Sequence, residues 1–258
     1  METPDYKKNF IEKASALHKG KYDYSLVDYK NAHKKVKIVC PSHGVFEQNP
    51  NNHLSGQGCP MCKRINSRKP KYGVGIFDWH KEIGRGDKEY KSYKKWSAIL
   101  ERCYSESLHH KHPSYIGCSV CEEWRVFTKF KKWFDENYIE GYSLDKDILV
   151  KNNKVYSPET CCFVPQSINT LFLKTRANRG EFPIGVCRHS NISYRAQLTI
   201  GKKLVCVGIY HTVEEAFAAY KNAREDYIKK VAKDYLKRGK ISQKVYEAMI
   251  NYKVSIFD

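Results

Sequence analysis

Cys40, His43, Cys59 and Cys62 are the residues whose types and spacing point most directly to chemistry. They read Cys-x2-His, fifteen intervening residues, then Cys-x2-Cys. Three soft thiolates and one imidazole, grouped as two close pairs, form the tetrahedral donor set that structural Zn²⁺ prefers. Each pair lies in a turn sequence, Cys-Pro-Ser-His-Gly and Gly-Gln-Gly-Cys-Pro-Met-Cys, where Gly and Pro let the chain fold round a metal. Zinc bound this way holds polypeptide together more often than it does chemistry, so catalysis is expected further along the chain. A second group, Cys103, Cys118, Cys121, Cys161 and Cys162, contains a Cys118-x2-Cys121 spacing. It reads as a second zinc site using Cys103, Cys121 and Cys161, or as a set of small buried thiols, since no fourth ligand stands out. His109, His110 and His112 could supply that ligand or a base, or could lie on the surface against phosphate or solvent.

The elements that must hold these residues are short. In residues 1–64, Asn9 to Leu17 reads as a helix, Val36-Lys-Ile-Val39 as a strand leading into Cys40, and Val45-Phe46 as the start of another. Residues 65–90 read as an extended, flexible basic linker, from Arg68-Lys69-Pro70-Lys71 and several glycines. In residues 91–180, helices are predicted at Ser92–Tyr104 and Trp124–Asn137, then a short strand over Ser143–Ile148, a loop and a further helix. In residues 181–230, three strands are predicted at Ile184–Arg188, Tyr194–Ile200 and Leu204–Tyr210. Thr212-Val-Glu-Glu215 has capping-box spacing and opens a helix through Tyr227. Residues 231–258 read as a basic helical tail broken near Gly239. The whole is a multi-domain α+β chain.

Charge narrows the function class. The chain has 46 Lys and Arg against 28 Asp and Glu, a net charge of +18. The excess recurs in every part: 14 basic against 6 acidic over 1–72, 18 against 14 over 73–180, and 14 against 8 over 181–258. A basic surface on each part implies a long polyanion that each part touches. No apolar run is long enough to span a bilayer and the N-terminus has no apolar signal core, so no membrane partner and a cytoplasmic location are expected. Ten cysteines in such a chain imply metal and reduced thiols.

Three resemblances sharpen this. The first unit resembles a zinc-ribbon module common in phage and bacterial nuclease-associated proteins, through His18-Lys-Gly-Lys-Tyr-Asp-Tyr-Ser25, Val36 to Gly44, Phe46, Asn51-Asn-His-Leu54 and Gly58-Cys-Pro-Met-Cys62. The second resembles phage-type HNH (ββα-metal) nucleases over about eighty residues. The matching residues are Arg102-Cys103, Cys121-Glu122-Glu123-Trp124, Leu144-Asp145-Lys146-Asp147, Tyr156-Ser157-Pro158-Glu159-Thr160-Cys161 and Asn169. That resemblance implies a catalytic Mg²⁺ or Mn²⁺ held by Asp145 and Asn169. Lys146 stands where the family has its general-base His. Asp147 could serve as base or second ligand, and Lys146 could stabilise charge on the phosphorane. The third unit resembles the AP2 DNA-binding domain, through Gly185-Val186, Tyr194 to Lys202, Val207 to Tyr210 and Thr212 to Ala223. In that fold Ala196, Leu198 and Ile200 would face the helix, against Ala216, Ala219, Tyr220 and Ala223. Arg195, Gln197 and Thr199 would face outward with His189 to read base edges, and Lys202 and Lys203 would meet phosphate. Cys187, Leu204 and Cys206 depart from the Arg or Trp that plant members often carry there.

The combined expectation is a metal-dependent, homing-endonuclease-like enzyme cutting double-stranded DNA, with no small-molecule substrate. The alternative is a nuclease-degenerate protein that binds DNA without cutting it. An RNA-binding zinc protein fits less well, because a deep, narrow RNA major groove would exclude the sheet.

Overall fold

Phe10 and Ala14, one helical turn apart, anchor the core of the N-terminal region. The computed structural model describes residues 5–172, 181–201 and 203–256. It is a mixed α+β structure that divides into two compact units, Met1–Tyr93 with Arg125–Thr128, and Lys94–Trp124 with Lys129–Asp258.

In the first unit, α1 (Tyr6–Leu17) is capped by the Asp5 carboxylate, which accepts from the Lys8 amide at 3.0 Å. β1 (Val36–Cys40) and β2 (Gly44–Gln48) form an antiparallel hairpin with Cys40 opposite Gly44. Val36, Ile38 and Cys40 alternate inward to meet Phe10, Ala14, Tyr22, Tyr24 and Val27, as a half-buried strand should. α2 (Pro50–Leu54) and α3 (Pro60–Ser67) each begin on a proline, whose missing N–H costs nothing there.

The segment expected to be a flexible linker is held in place instead. Arg68 donates to the carbonyls of Phe77 at 2.9 Å and Trp79 at 2.7 Å, and lies 4.6 Å over the Phe77 ring. Asp78 accepts from the Thr128 amide at 2.9 Å, and Phe77, Trp79 and Tyr93 pack on Phe127. The charge run concealed these aromatics: they supply the core, and the arginine is consumed in fixing backbone rather than left for phosphate.

The second unit takes most of α4 (Tyr90–Tyr104), then α5 (Glu106–Lys111), β3 (Ser119–Val120), α6 (Glu122–Arg125) and α7 (Phe127–Asn137) apart from Arg125–Thr128, β4 (Tyr142–Asp145), β5 (Val155–Tyr156), β6 (Cys162–Pro165) and α8 (Gln166–Leu171). β3 pairs with β5 in parallel, and β4 with β6 antiparallel. Trp96 and Trp124 are fully buried, and the Trp96 indole N–H donates to the Trp124 carbonyl at 2.7 Å. The expected single helix over 124–137 is interrupted at Val126, which instead bridges to Ile76.

β7 (Val186–Ser190), β8 (Ser193–Ile200) and β9 (Lys203–Tyr210) form an antiparallel sheet with β8 central. α9 (Val213–Lys237) opens on the Thr212–Glu215 capping box and packs Ala216, Ala219, Tyr220 and Ala223 against Ala196 and Leu198. Ile200, expected on that buried face, is exposed. α9 also runs ten residues past its expected end, and Gly239 at φ +63° turns the chain into α10 (Gln243–Ile250). The C-terminal segment is therefore no appended tail. Ile228 and Ala232 of α9 and Val245 and Met249 of α10 share a core with Ile148, Val164 and Ile168.

Gly185 stands at φ +77°, and a Cβ there would lie 2.0 Å from the Tyr220 ring. Gly201, at φ +64°, has open space around it. Gly185→Ala should destabilise by roughly 2–4 kcal/mol and Gly201→Ala by about 1 kcal/mol, a contrast that denaturant melts would read. Equal losses would mean that Tyr220 does not pack on this turn.

Candidate functional sites

The Cys40 quartet is assembled. Cys40 lies at the end of β1, His43 in the hairpin turn before Gly44 at φ +73°, Cys59 just before α3, and Cys62 in its first turn. The Sγ atoms of Cys40 and Cys62 are 3.8 Å apart. His43 Nδ1 lies 3.6, 3.7 and 3.4 Å from the sulfurs of Cys40, Cys59 and Cys62. A tetrahedral ion with Zn–S of about 2.3 Å and Zn–N of about 2.0 Å has S···S edges of about 3.8 Å and S···N edges of about 3.5 Å. The four edges these distances give match those values, and this group could hold the metal. Burial acts to raise the Cys40 thiol, but the amides of Ser42 and His43 and the neighbouring thiols bring it below its ordinary value. Tyr22 braces the second pair: its hydroxyl accepts from the Cys59 amide at 2.9 Å. Gly58 makes room for it, since a Cβ there would sit 2.2 Å from that oxygen.

Behind the quartet lies a histidine whose role was not read from the sequence. His53 is 0 % exposed. Its Nδ1 donates to the Gln57 carbonyl at 2.9 Å, and its Nε2 accepts from the Tyr24 hydroxyl at 3.0 Å. That pairing selects the neutral ring. His18 stacks on it at 4.1 Å and donates to its backbone carbonyl at 2.9 Å. Burial pushes the His53 pKa below its ordinary 6.5. The signal available in the sequence was His18 together with Asn51-Asn-His-Leu54, both within the ribbon resemblance.

The residues around Asp145 are differently placed. Asp145 closes β4 opposite Cys162, and its Oδ1 accepts from the amides of Asp147 at 2.7 Å and Ile148 at 2.8 Å. Burial pushes its carboxyl above the ordinary carboxylate value, against those two amides. Asn169 lies on α8, which packs back over β4 and β6. Lys146 is only 8 % exposed. Its Nζ donates to both Asp147 carboxylate oxygens, at 2.7 and 2.8 Å, and to the Asn153 carbonyl at 2.7 Å. An ammonium has three donors, and all three are used. Lys146 therefore has no donor left for a phosphorane, and Asp147 is neutralised by it.

In the second cysteine group, Cys121 and Cys162 are half-buried. Cys103, Cys118 and Cys161 are buried, and desolvation pushes Cys103 and Cys161 up to about 12. Among the described residues, the Cys40 quartet is the one set of three or more His, Cys, Asp and Glu donors close enough to share an ion. His109 is tied to the Arg102 carbonyl at 2.8 Å, while His110 and His112 are exposed.

On the three-stranded sheet, Arg195 pairs with Cys187 and Ile209, Gln197 with Cys206, and Thr199 with Leu204. Arg195 donates to His189 Nδ1 at 2.6 Å, which brings two of the expected base-reading residues together. Lys203 is exposed at the start of β9, and Lys202 lies outside the described residues.

A family described as "Protein of unknown function (DUF723)" matches residues 3–63, the stretch that carries the quartet. Uncharacterized protein R97 of Acanthamoeba polyphaga mimivirus is 27% identical over 177 residues, covering 57% of this chain and 62% of the viral protein. Uncharacterized protein R892 of the same virus is 40% identical over 55 residues, 21% of this chain and 20% of that protein. The chain spans less than two thirds of the length of either relative. No solved structure matches. Among the described residues no helix is long and apolar enough to cross a membrane.

Purified protein should carry one zinc by elemental analysis, and Cys59→Ser should lose it together with the fold of the first unit. A fully folded, metal-free wild type would refute the site. His53 gives a second expectation. Its depressed pKa contributes stability that is complete above about 6.5 and is lost as pH falls below that value. NMR titration of the His53 imidazole should give a midpoint below that of a free histidine.

Proposed function

We propose that this chain is a metal-dependent DNA endonuclease of the HNH type, homing-endonuclease-like, with a zinc-ribbon module at its N-terminus and an AP2-like DNA-reading sheet near its C-terminus. One observation supports the reading: β4 pairs antiparallel with β6, which leads directly into α8, with Asp145 at the end of β4 and Asn169 on the helix packed against both strands. Asp145 and Asn169 would hold the catalytic ion. Mg²⁺ or Mn²⁺ suits such a pair, because small hard cations take few protein oxygens and keep several waters. When bound, the ion would stabilise charge on the phosphodiester oxygens. The chain's own contribution is positional. The amides of Asp147 and Ile148 fix one oxygen of Asp145, so its rotamer is set before any ligand arrives. The net charge of +18 supports a polyanionic substrate, and the outward Arg195 and Gln197 support duplex DNA.

A second reading, binding without cleavage, is favoured by Lys146. It occupies the general-base position, cannot accept a proton while charged, and spends its donors on Asp147 and Asn153. Nicking of supercoiled plasmid with and without Mg²⁺ or Mn²⁺ separates the two. Wild type should nick in a metal-dependent way, and Asp145→Ala should lower the rate at least about a hundredfold while DNA affinity stays within about twofold. Binding with no nicking in either metal would make the protein a DNA-binding factor.

A further inference from the structure

The outer face of the sheet is half polar and half apolar, and the division follows the strands. β8 presents Arg195, Gln197 and Thr199. Beside each, on β9, stand Ile209, Cys206 and Leu204 in turn. Leu204 is 63 % exposed and Ile209 52 %, so with Cys206 they put an apolar row on the solvent side of this edge strand. A register shift puts Ile209 there. Ala196 pairs with Gly208 but Gln197 with Cys206, so Val207 is an extra residue. Without that bulge Gly208 would share the face with Leu204 and Cys206, and Ile209 would turn inward. A bulge re-aims side chains in this way.

We propose that Leu204, Cys206 and Ile209 form a row that recognises thymine methyl groups in the major groove, so that the sheet selects duplexes rich in correctly spaced A·T pairs. This rests on the preceding reading that the sheet lies on duplex DNA. An A·T pair offers adenine N7 and N6, then thymine O4 and the 5-methyl, along one edge. A polar side chain with an aliphatic one on the next strand, about 4.8 Å away, presents matching chemistry in the same order. Along β9, outward residues two apart are separated by about 6.8 Å, close to two base steps of about 3.4 Å each. Charge argues against a second copy of this chain as the occupant. Arg195 stands directly beside Ile209 on the same face, and its guanidinium would face like charge across a two-fold.

The test replaces thymine by deoxyuridine, which removes the methyl and leaves every base hydrogen bond. A preferred duplex is first selected from a random pool with the full-length, zinc-loaded protein. Affinity should then fall about fourfold for each contacted methyl removed. Leu204→Ser and Ile209→Thr, both at exposed positions, should bind the thymine duplex more weakly and be insensitive to the exchange. Equal affinity of wild type for thymine and uracil duplexes would overturn the inference while leaving DNA binding intact. No binding to any duplex would instead overturn the reading on which it rests. Concentration-dependent self-association that Leu204→Ser abolishes, without change in DNA affinity, would also overturn the inference and make the row a dimer contact.

Discussion

α9 has 25 residues, about 37 Å of continuous helix, and two of the cores in the second unit are built on it. Its first half covers the sheet through Ala216 and Tyr220. Its second half meets α10 and the β6–α8 corner through Ile228 and Ala232. Between them sits Glu225, buried and accepting from the Val254 amide at 3.0 Å, with the Lys253 ammonium 3.3 Å away. A carboxylate at that depth needs both partners, and in binding them it pins the C-terminal segment across the helix. The sheet and the β4–β6 pair thus belong to one compact unit, joined through α9.

The legible parts of the chain were those where local chemistry and tertiary role coincide. The quartet could be read because metal ligands must sit in tight turns, and Gly44 and Pro60 mark them. The capping box fixed the start of α9, and alternation on β8 told Ala196 and Leu198 from Arg195 and Gln197. What stayed hidden depended on distant partners. Phe77 and Trp79 are unremarkable until Phe127, some fifty residues on, is beside them. The last ten residues of α9 looked like a basic tail because Lys229, Lys230, Lys233 and Lys237 are interspersed with the apolar residues that bury it. Ile200 broke the alternation rule because it lies at the end of β8, beyond the core under α9.

Electrostatics separates the two metal questions in this chain. Three thiols and an imidazole lie within 4.8 Å of one another, and the thiols would be costly as anions without a cation among them, so the first unit presents a group that could hold one. At Asp145 the chain supplies its own positive charge. The Lys146 ammonium neutralises Asp147, and backbone amides engage Asp145. A divalent ion there has fewer negative charges to attract it than the count of carboxylates implies, so Asp145 would carry most of the attraction alone.

The continuity of α9 also constrains how this sequence can change over generations. Each residue of an α-helix turns the chain by about 100°. A single insertion between Ala223 and Ile228 would rotate one buried stripe away from its core while the other stayed in place. Single-residue changes of length are therefore costly in the middle of this helix, where substitution carries no such penalty. The exposed turn at Gly239 carries no such phase, and added residues would be best tolerated there.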